Sequence, residues 1–463
     1  MSKTAVDKNT EALARYAAEF RFEDLPTEVV HETKRKLIDT LGCALGAFHA
    51  EPCRVARAIA RRSVGDPPAR ILGSQEPSTP EQAAFANGTM VRCQDFNDSY
   101  LSKASCHPSD TWPAVLAVAD AMHADGKTVI AGAALAYEGS CNFADAMPRE
   151  QGWDNVFYDV VGSTLGSAKV LGLNKEQMAH AIAFAIVPNV TLEQTRLGEL
   201  SMWKGCAGAN AARNGVFAAL LAHEGMTGPD EVIEGKWGLW NLLDCKFEWA
   251  PFGGRGAPYR IAQTHLKYYP GVVHAQSPIS AALDLYPQVR VEDIETVVIE
   301  TYWVAKRYIR RDSPLWHPTT SETADHSIPY LVAAALMDGD ITSATLSEER
   351  IRDPKLLGLM EKISVRENAG FEAAYPAGWQ CRIDVVTKGG ERKAAHVKYF
   401  KGHVKTPLTD TEVEAKFRTL TVDTLETKQA DTLLSKVWQL DRLKDIGDVL
   451  ALCTVKGSAG QRR

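Results

Sequence analysis

No apolar run in the 463-residue sequence is long enough to cross a membrane, because polar residues soon interrupt the alanine-rich stretches. The first 16 residues lack the apolar segment of a signal peptide. Runs of Lys or Arg that could follow a phosphate backbone are also missing, which argues against nucleic acid as a partner. We therefore expect a cytoplasmic globular protein that binds neither membranes nor nucleic acid.

Cysteine motifs are equally scarce. The nine cysteines include no pair at CxxC spacing, so the sequence offers no zinc ribbon and no cradle for an iron–sulfur cluster. Phosphate-binding loops, GxSxG nucleophile turns and dinucleotide fingerprints are missing as well. We therefore expect no metal and no cofactor. Because the net charge is −6, an anionic ligand would need cations concentrated in one pocket.

Helical periodicity dominates the first half of the chain. The pattern predicts helices over residues 26–45, 113–123, 129–146, 162–171, 175–187 and 207–223. These segments are rich in Ala and Gly, which allows helix axes to approach closely and favours a packing role for the small residues. Helical patterns return over residues 411–420, 424–437 and 446–452, and we expect this tail to pack on the first half.

The pattern changes near residue 267. Alternation over residues 294–302 predicts a strand, and a glycine turn between residues 381–387 and 393–399 predicts a hairpin. A helix is expected over residues 328–337. We therefore predict a mainly α fold with a large all-helical bundle domain, residues 1–266 completed by 405–463, and a smaller α+β domain, residues 267–404.

The densest polar cluster of the helical half runs from residue 94 to residue 110. It contains Asp95, Asp98 and Ser99, followed by His107 and Asp110. A carboxylate can orient a histidine, which then moves protons near neutral pH. The alternative is a solvated turn in which Asp110 caps the next helix. A metal site is a further possibility, but no second histidine or tight carboxylate set supports it.

Three further residues are candidates for binding an anion. Lys204 precedes a helix of small residues, where it can share an anion with the helix N-terminus, although a surface lysine would look the same. Lys267 and His274 flank a Pro-Gly turn at the predicted domain junction, where pockets are common.

The segment 323–330 has the pattern of a helix start. Ser327 is the expected cap, because Pro329 follows it at a position that the first helical turn tolerates. This favours a structural role for Asp325, while the role of His326 stays open.

Together these segments resemble the MmgE/PrpD family over nearly the whole chain. The resemblance is carried by Asp95-Phe96-Asn97-Asp98, Cys106-His107-Pro108-Ser109, Lys204 with Asn210-Ala211-Ala212-Arg213, Gly225-Met226-Thr227-Gly228-Pro229, Tyr269-Pro270 with His274, Ala324-Asp325-His326-Ser327, and Lys416-Phe417-Arg418. Family members include 2-methylcitrate dehydratases, cis-aconitate decarboxylases and iminodisuccinate epimerases. The resemblance implies a homodimer that uses no iron–sulfur cluster, and a fold in which the smaller α+β domain is a lid on the helical domain.

The family's site positions correspond here to Asp95, Ser99, His107, Lys204, Lys267 and His274. Ser99 stands where decarboxylases of the family carry Thr, and the stretch between Asp95 and His107 is longer than theirs. Tyr158-Asp159 replaces a His-Pro pair found in many members, whereas residues 324–330 are closer to the dehydratases. These departures bear on the substrate more than on the family.

The resemblance implies proton abstraction next to a carboxylate of a small polycarboxylate, most simply in a dehydration. In this hypothesis His107 moves the proton and Asp95 orients it, and Lys204, Lys267 and His274 stabilise the developing charge. His274 or Lys204 is the acid, and Ser99 and Lys267 bind substrate. The sequence leaves open which histidine is the base and which is the acid. An epimerase, a decarboxylase and a non-catalytic carboxylate-binding protein are the alternatives. The number of carboxylates bound depends on where three arginines point: Arg255, Arg307 and Arg310.

Overall fold

The computed structural model describes residues 6–148, 152–189, 191–306, 309 and 311–458, and the fold is mainly α-helical with a small sheet. The helices before residue 267 are α1 (Lys8–Glu19), α2 (Thr27–Gly46), α3 (Glu51–Ala60), α4 (Pro80–Arg92), α5 (Trp112–Ala121), α6 (Gly126–Ala146), α7 (Val156–Val170), α8 (Lys175–Ile186), α9 (Trp203–His223) and α10 (Leu239–Leu242). Within the described ranges, no helix has both the length and the apolar character needed to span a bilayer.

Short strands interrupt the part of the chain that was predicted to be all-helical. They form two antiparallel pairs, β1 (Ala69–Arg70) with β2 (Pro77–Ser78), and β3 (Tyr100–Leu101) with β4 (Ser105–Cys106). The second pair arises because the chain between Ser99 and His107 folds back on itself. It brings the two halves of the polar cluster together.

Local signals in the sequence explain where the helices begin and how closely they pack. The side chain of Asp7 accepts a backbone hydrogen bond of 2.8 Å at the start of α1, and Asn174 forms a capping box with Gln177 on α8. Between α6 and α7, a Cβ atom on Gly139 would lie 2.9 Å from the Cα of Gly162. The small residues of this half therefore serve helix packing, as the sequence indicated.

A second hydrophobic cluster, whose buried residues lie between Val273 and Phe400, surrounds a four-stranded sheet. Its elements are α11 (Gln276–Leu285), β5 (Ile294–Thr301), α12 (Trp303–Lys306), α13 (Ser321–Ala324), α14 (Ile328–Asp338), α15 (Glu348–Ile351), α16 (Pro354–Met360), β6 (Ile363–Glu367), α17 (Ala369–Ala374), β7 (Cys381–Thr387) and β8 (Arg392–Val397). The strand order is β6-β5-β7-β8, with β5 parallel to β6 and antiparallel to β7. The predicted strand over residues 294–302 and the predicted hairpin are confirmed.

The C-terminal tail returns to the helices of the first half. It forms α18 (Asp410–Thr421), α19 (Thr427–Trp438) and α20 (Gly447–Leu450). Helix α18 packs on α2 so closely that a Cβ atom on Gly46 would lie 2.9 Å from the carbonyl oxygen of Leu420. The buried tail residues belong to the same hydrophobic cluster as those of α2.

Two capping predictions have opposite outcomes. Ser327 caps α14 by accepting a hydrogen bond from the N–H of Tyr330, as expected. The predicted cap at Asp110 is wrong, because Asp110 lies inside a 3₁₀ turn (Pro108–Thr111) and α5 begins only after that turn, at Trp112. The carboxylate of Asp110 instead accepts a 2.7 Å hydrogen bond from the amide of Asn97. Burial raises the pKa of Asp110 to about 6.

Candidate active site

Asp95 lies in a strained turn directly after α4. Its φ angle is +46°, a left-handed conformation that costs a non-glycine residue about 1–2 kcal/mol. Two hydrogen bonds to its carbonyl oxygen hold this turn, one from Nζ of Lys267 (2.7 Å) and one from the N–H of Gly271 (3.3 Å). The carboxylate of Asp95 is buried, so its charge needs partners inside the protein.

Three cations supply those partners. Arg92, one turn earlier on α4, forms an ion pair with Oδ1 of Asp95. Nζ of Lys267 lies 2.7 Å from the same oxygen, and Nζ of Lys204 lies 3.5 Å from Oδ2. Arg92 also approaches Asp110, with 3.6 Å between Nε and Oδ2.

The ion pairs form a charged network of six residues: Arg92, Asp95, Lys204, Lys267, Asp325 and His326. Lys204 links the helical half of this network to the part of the chain that forms the second hydrophobic cluster. It lies in the first turn of α9, and its Nζ donates to both carboxylate oxygens of Asp325 at 2.9 and 3.1 Å. Oδ1 of Asp325 also contacts Nδ1 of His326, and Nε2 of His326 lies 3.6 Å from Oδ2 of Asp95. The prediction of a purely structural role for Asp325 is therefore incomplete, because its carboxylate also belongs to the charged network.

The network shifts the pKa values of its members. Burial lowers the pKa of Lys204 to about 8, although Asp325 opposes the shift. Burial and the nearby Arg92 hold the pKa of Lys267 well below its usual value. Burial alone would raise the pKa of Asp325, but Lys204 and His326 outweigh it and keep the pKa below the usual value. Burial and the Lys204 charge lower the pKa of His326 to about 3.

Asp95, Asp325 and His326 also have the spacing of a metal-ligand set. Their potential ligand atoms lie within 4.8 Å of one another. However, Arg92, Lys204 and Lys267 contact the same two carboxylates, so protein cations already balance the negative charge. A divalent cation would have to displace or repel these neighbours, and the donor set does not fit a metal centre.

His107 has a single consistent tautomer. Its Nδ1 lies 2.8 Å from the carbonyl oxygen of Asp98, which can only accept, so Nδ1 carries the proton and Nε2 the lone pair. The hydroxyl of Ser99 lies 3.1 Å from the same nitrogen. The side chain of Asp98 is fixed by the N–H of Ser109 (2.9 Å) and the hydroxyl of Tyr137 (2.7 Å). Burial lowers the pKa of His107 well below its usual value, so the ring is neutral near pH 7.

The predicted contact between Asp95 and His107 is wrong. The orienting acceptor is the backbone of Asp98, and the carboxylate of Asp95 points into the charged network instead. A carboxylate and a histidine that are close in sequence meet only if the intervening turn allows it. Here the strained turn at Asp95 directs its side chain elsewhere.

His274 is held by aromatic residues of the second cluster. Nδ1 of His274 lies 2.8 Å from the hydroxyl of Tyr302, and its ring stacks on Trp379 with 5.1 Å between centroids and a 6° interplanar angle. Hydrogen bonding and stacking together fix the position of this ring.

One cavity of about 200 Å³ brings His107, His274 and His326 together. Other polar residues of its wall include Arg92, Lys103, Ser105, Asp154, Asn155, Tyr158, Glu193 and Arg196. The remaining sequence candidates lie behind this wall rather than in it, namely Asp95, Ser99, Lys204 and Lys267. The cavity thus lies between the helical half and the sheet-containing half.

Both halves match models of one protein family. The MmgE/PrpD N-terminal domain matches residues 11–251, and the MmgE/PrpD C-terminal domain matches residues 269–441. The chain belongs to the MmgE/PrpD family. It is 30% identical to the 2-methylcitrate dehydratase of Salmonella typhimurium, over 76% of each chain. It is 29% identical to the mitochondrial 2-methylcitrate dehydratase of Yarrowia lipolytica, over 80% of this chain and 74% of that one. The cis-aconitate decarboxylase of Aspergillus terreus is 25% identical, over 98% of this chain and 99% of its own.

In this MmgE/PrpD chain, sequence reasoning missed two arginines of the cavity wall. Arg92 had a local signal, because it precedes Asp95 by three residues at the end of a helix. Arg196 lies in the segment before α9, where it donates to both carboxylate oxygens of Asp154 at 3.1 Å and to the carbonyl of Lys204 at 3.4 Å. No local pattern distinguished it from a surface arginine.

The sequence left open where the side chains of three arginines point, and the structure describes one of the three. Arg255 is half exposed and pairs with Glu19 at 2.6 Å, outside the cavity wall. Arg307 and Arg310 lie outside the described residues.

Proposed function

We propose that this protein is a hydro-lyase that removes water from a small tricarboxylate of the 2-methylcitrate type. The observation that carries the proposal is the pairing of His107 and His274 across one cavity, with a neutral His107 whose Nε2 holds a lone pair. The two dehydratase relatives cited above support dehydration, because each matches about three quarters of this chain.

Two proton transfers complete the proposed reaction. Nε2 of His107 takes the proton from the carbon next to a substrate carboxylate, and the C–H electron pair forms the new double bond. The neighbouring C–O bond breaks, and the leaving hydroxide takes a proton from His274 and departs as water. A bound carboxylate favours the imidazolium form of His107, which raises its basicity when substrate enters.

The charged network would stabilise negative charge on the substrate from behind the wall. Lys204 and Lys267 offset the negative charges of Asp95 and Asp325, which leaves the positive charge of Arg92, in the cavity wall, to act on the substrate. In this proposal Asp95 and Lys204 do not contact the substrate, and they affect it only through the electrostatic field of the charged network. Ser99 acts through His107, and Lys267 supports the turn at Asp95 rather than contacting substrate directly.

Arg196 is the best-placed group to bind a substrate carboxylate. Asp154 fixes its guanidinium from one side, which leaves two N–H groups beyond those used by Asp154 and Lys204. An arginine held in this way offers a preorganised fork to a carboxylate. Lys103 adds a second positive charge to the cavity wall.

Three further features belong to the same proposal. The helical unit is the larger domain and the sheet unit is its lid, which the two separate hydrophobic clusters support.

The protein is a homodimer, with the exposed Trp203 and Phe217 on one face of α9 as part of the interface. Catalysis needs no metal or other cofactor. Light scattering should give the dimer mass, and activity should survive treatment with a chelator.

The test follows absorbance of the unsaturated acid while 2-methylcitrate, citrate and cis-aconitate are offered in turn. A rise with 2-methylcitrate or citrate supports the proposal. No change with any of them contradicts it. Release of CO₂ from cis-aconitate would instead favour the decarboxylase, a candidate supported by the match to the Aspergillus terreus enzyme over nearly the whole chain.

A further inference from the structure

A buried lysine of the C-terminal tail donates hydrogen bonds to the backbone of two segments that carry residues of the charged network. Lys416 lies on α18, and its side chain is 5% exposed. Its Nζ donates to the carbonyl oxygens of Phe96 and Lys267, each at 2.8 Å. The same nitrogen forms an ion pair with Oδ1 of Asp39 on α2 at 2.6 Å.

These two carbonyls belong to the segments that carry Asp95 and Lys267. Phe96 directly follows Asp95, whose left-handed φ of +46° needs support from its surroundings. Lys267 supplies part of that support through the 2.7 Å hydrogen bond from its Nζ to the Asp95 carbonyl. Nζ of Lys416 therefore binds the backbone of Lys267, which is the donor of that hydrogen bond, and the backbone of Phe96, which is next to the acceptor Asp95. Its Nζ also lies 3.8 Å from the centroid of the Phe96 ring, which adds a cation–π contact.

We propose that Lys416 is a positioning residue, which holds the turn at Asp95 and the backbone of Lys267 in the alignment that the charged network requires. The kinetic consequence rests on the proposed function. The structural consequence does not, because the turn at Asp95 should change whenever Lys416 loses its two carbonyl contacts.

A purely structural role must be separated from positioning. Lys416→Met would leave the buried Asp39 without its ion-pair partner, and that alone would destabilise the protein. The double variant Asp39→Asn/Lys416→Met removes the unpaired charge while still lacking both carbonyl contacts. We therefore expect it to be more stable than Lys416→Met, although the turn at Asp95 and the backbone of Lys267 are still not held in place.

The kinetic experiment compares these variants with the wild type on 2-methylcitrate. We expect the double variant to melt closer to the wild type than Lys416→Met does, while its kcat stays about 10- to 100-fold lower than that of the wild type, with KM changed much less. Lys416→Arg keeps a cation and its donors, and should recover part of the kcat. Recovery of kcat together with the melting temperature in the double variant would overturn the proposal, as would an unchanged kcat in Lys416→Met.

Arg70→Met is the matched control. Arg70 also ties the tail to the helical half, through Asp120 at 2.7 Å and the carbonyl of Gly447 at 3.2 Å. It touches neither the turn at Asp95 nor Lys267, so its loss should lower the melting temperature and leave kcat unchanged. An equal fall in kcat in this variant would assign the Lys416 effect to general destabilisation and overturn the proposal.

A crystal structure of the double variant gives a readout that does not depend on turnover. The proposal predicts that Asp95 leaves the left-handed region, or that Nζ of Lys267 moves away from the Asp95 carbonyl. An unchanged turn would overturn the proposal even if the wild type dehydrates 2-methylcitrate. Conversely, a wild type without activity on any tricarboxylate would reject the proposed function, and this structural test would still decide the role of Lys416.

Discussion

Nζ of Lys204 lies 2.9 Å from Oδ2 of Asp325, and this ion pair joins the first turn of α9 to the segment that precedes α14. Lys204 belongs to the helical half, whereas Asp325 directly follows a short helix of the sheet-containing half. Both side chains are buried. The relative position of the two halves at the cavity is therefore coupled to the charge of one lysine.

Loss of that charge should destabilise the fold. Lys204→Met leaves Asp325 buried with a weaker set of partners, and breaking a buried ion pair in this way costs about 3–5 kcal/mol. Urea denaturation measures the change in the free energy of unfolding. Lys436→Met, which removes an exposed pair with Asp448, is the control and should change that free energy by less than about 0.5 kcal/mol. Equal effects of the two substitutions would contradict the buried network.

Removal of the His107 imidazole should impair chemistry and spare the fold. Loss of a general base typically lowers turnover about 10²–10⁴-fold, so His107→Ala should reduce kcat by that factor while the protein still unfolds in one cooperative transition above the assay temperature. His123→Ala is the control, because His123 is exposed and pairs with Asp445 on the surface. Near-normal turnover in His107→Ala would show that another group takes the proton.

Arg196 should control substrate affinity. A hydrogen-bonded ion pair with a carboxylate contributes about 1.5–3 kcal/mol, so Arg196→Met should raise KM for a tricarboxylate about 10- to 100-fold. Arg196→Lys keeps the charge without the fork and should lie between this variant and the wild type. Arg255→Met serves as control, since its guanidinium pairs with Glu19 outside the cavity. An unchanged KM in Arg196→Met would remove Arg196 from the substrate site.

The pH dependence should report Lys204. Because burial lowers its pKa to about 8, the ammonium is present below that pH and is lost as pH rises through it. The proposed network needs the cation, so kcat/KM should fall above about pH 8. Asp325 raises the pKa of Lys204, so Asp325→Asn should move this fall to lower pH. A falling limb that stays in place in Asp325→Asn would assign it to another group.

Local patterns predicted much of the fold and part of the site. The hairpin over β7 and β8 follows from alternation and a glycine turn, and the cap at Ser327 follows from the proline two residues later. The polar cluster that contains Asp95 and His107 was evident because so many polar side chains stood between alanine-rich helices. Its composition did not reveal which side chains meet.

Long-range contacts account for the remainder. Asp325 and His326 had the pattern of a helix start, and nothing nearby in sequence indicated that they would meet Asp95 and Lys204. The orientation of His107 depends on a backbone carbonyl, which carries no residue-specific signal. The contacts of Lys416 likewise connect segments that are distant in sequence.

The most direct test of the account is proton NMR of 2-methylcitrate incubated with the wild-type protein in D₂O. Dehydration is predicted to replace the methyl doublet with a singlet at the shifted position of a methyl group on a double bond, and His107→Ala should slow this change. Collapse of the doublet without a shift would mean that the proton is exchanged but water is not lost, and the hydro-lyase assignment would be contradicted. A spectrum that does not change would contradict both proton abstraction from this substrate and the role given to His107.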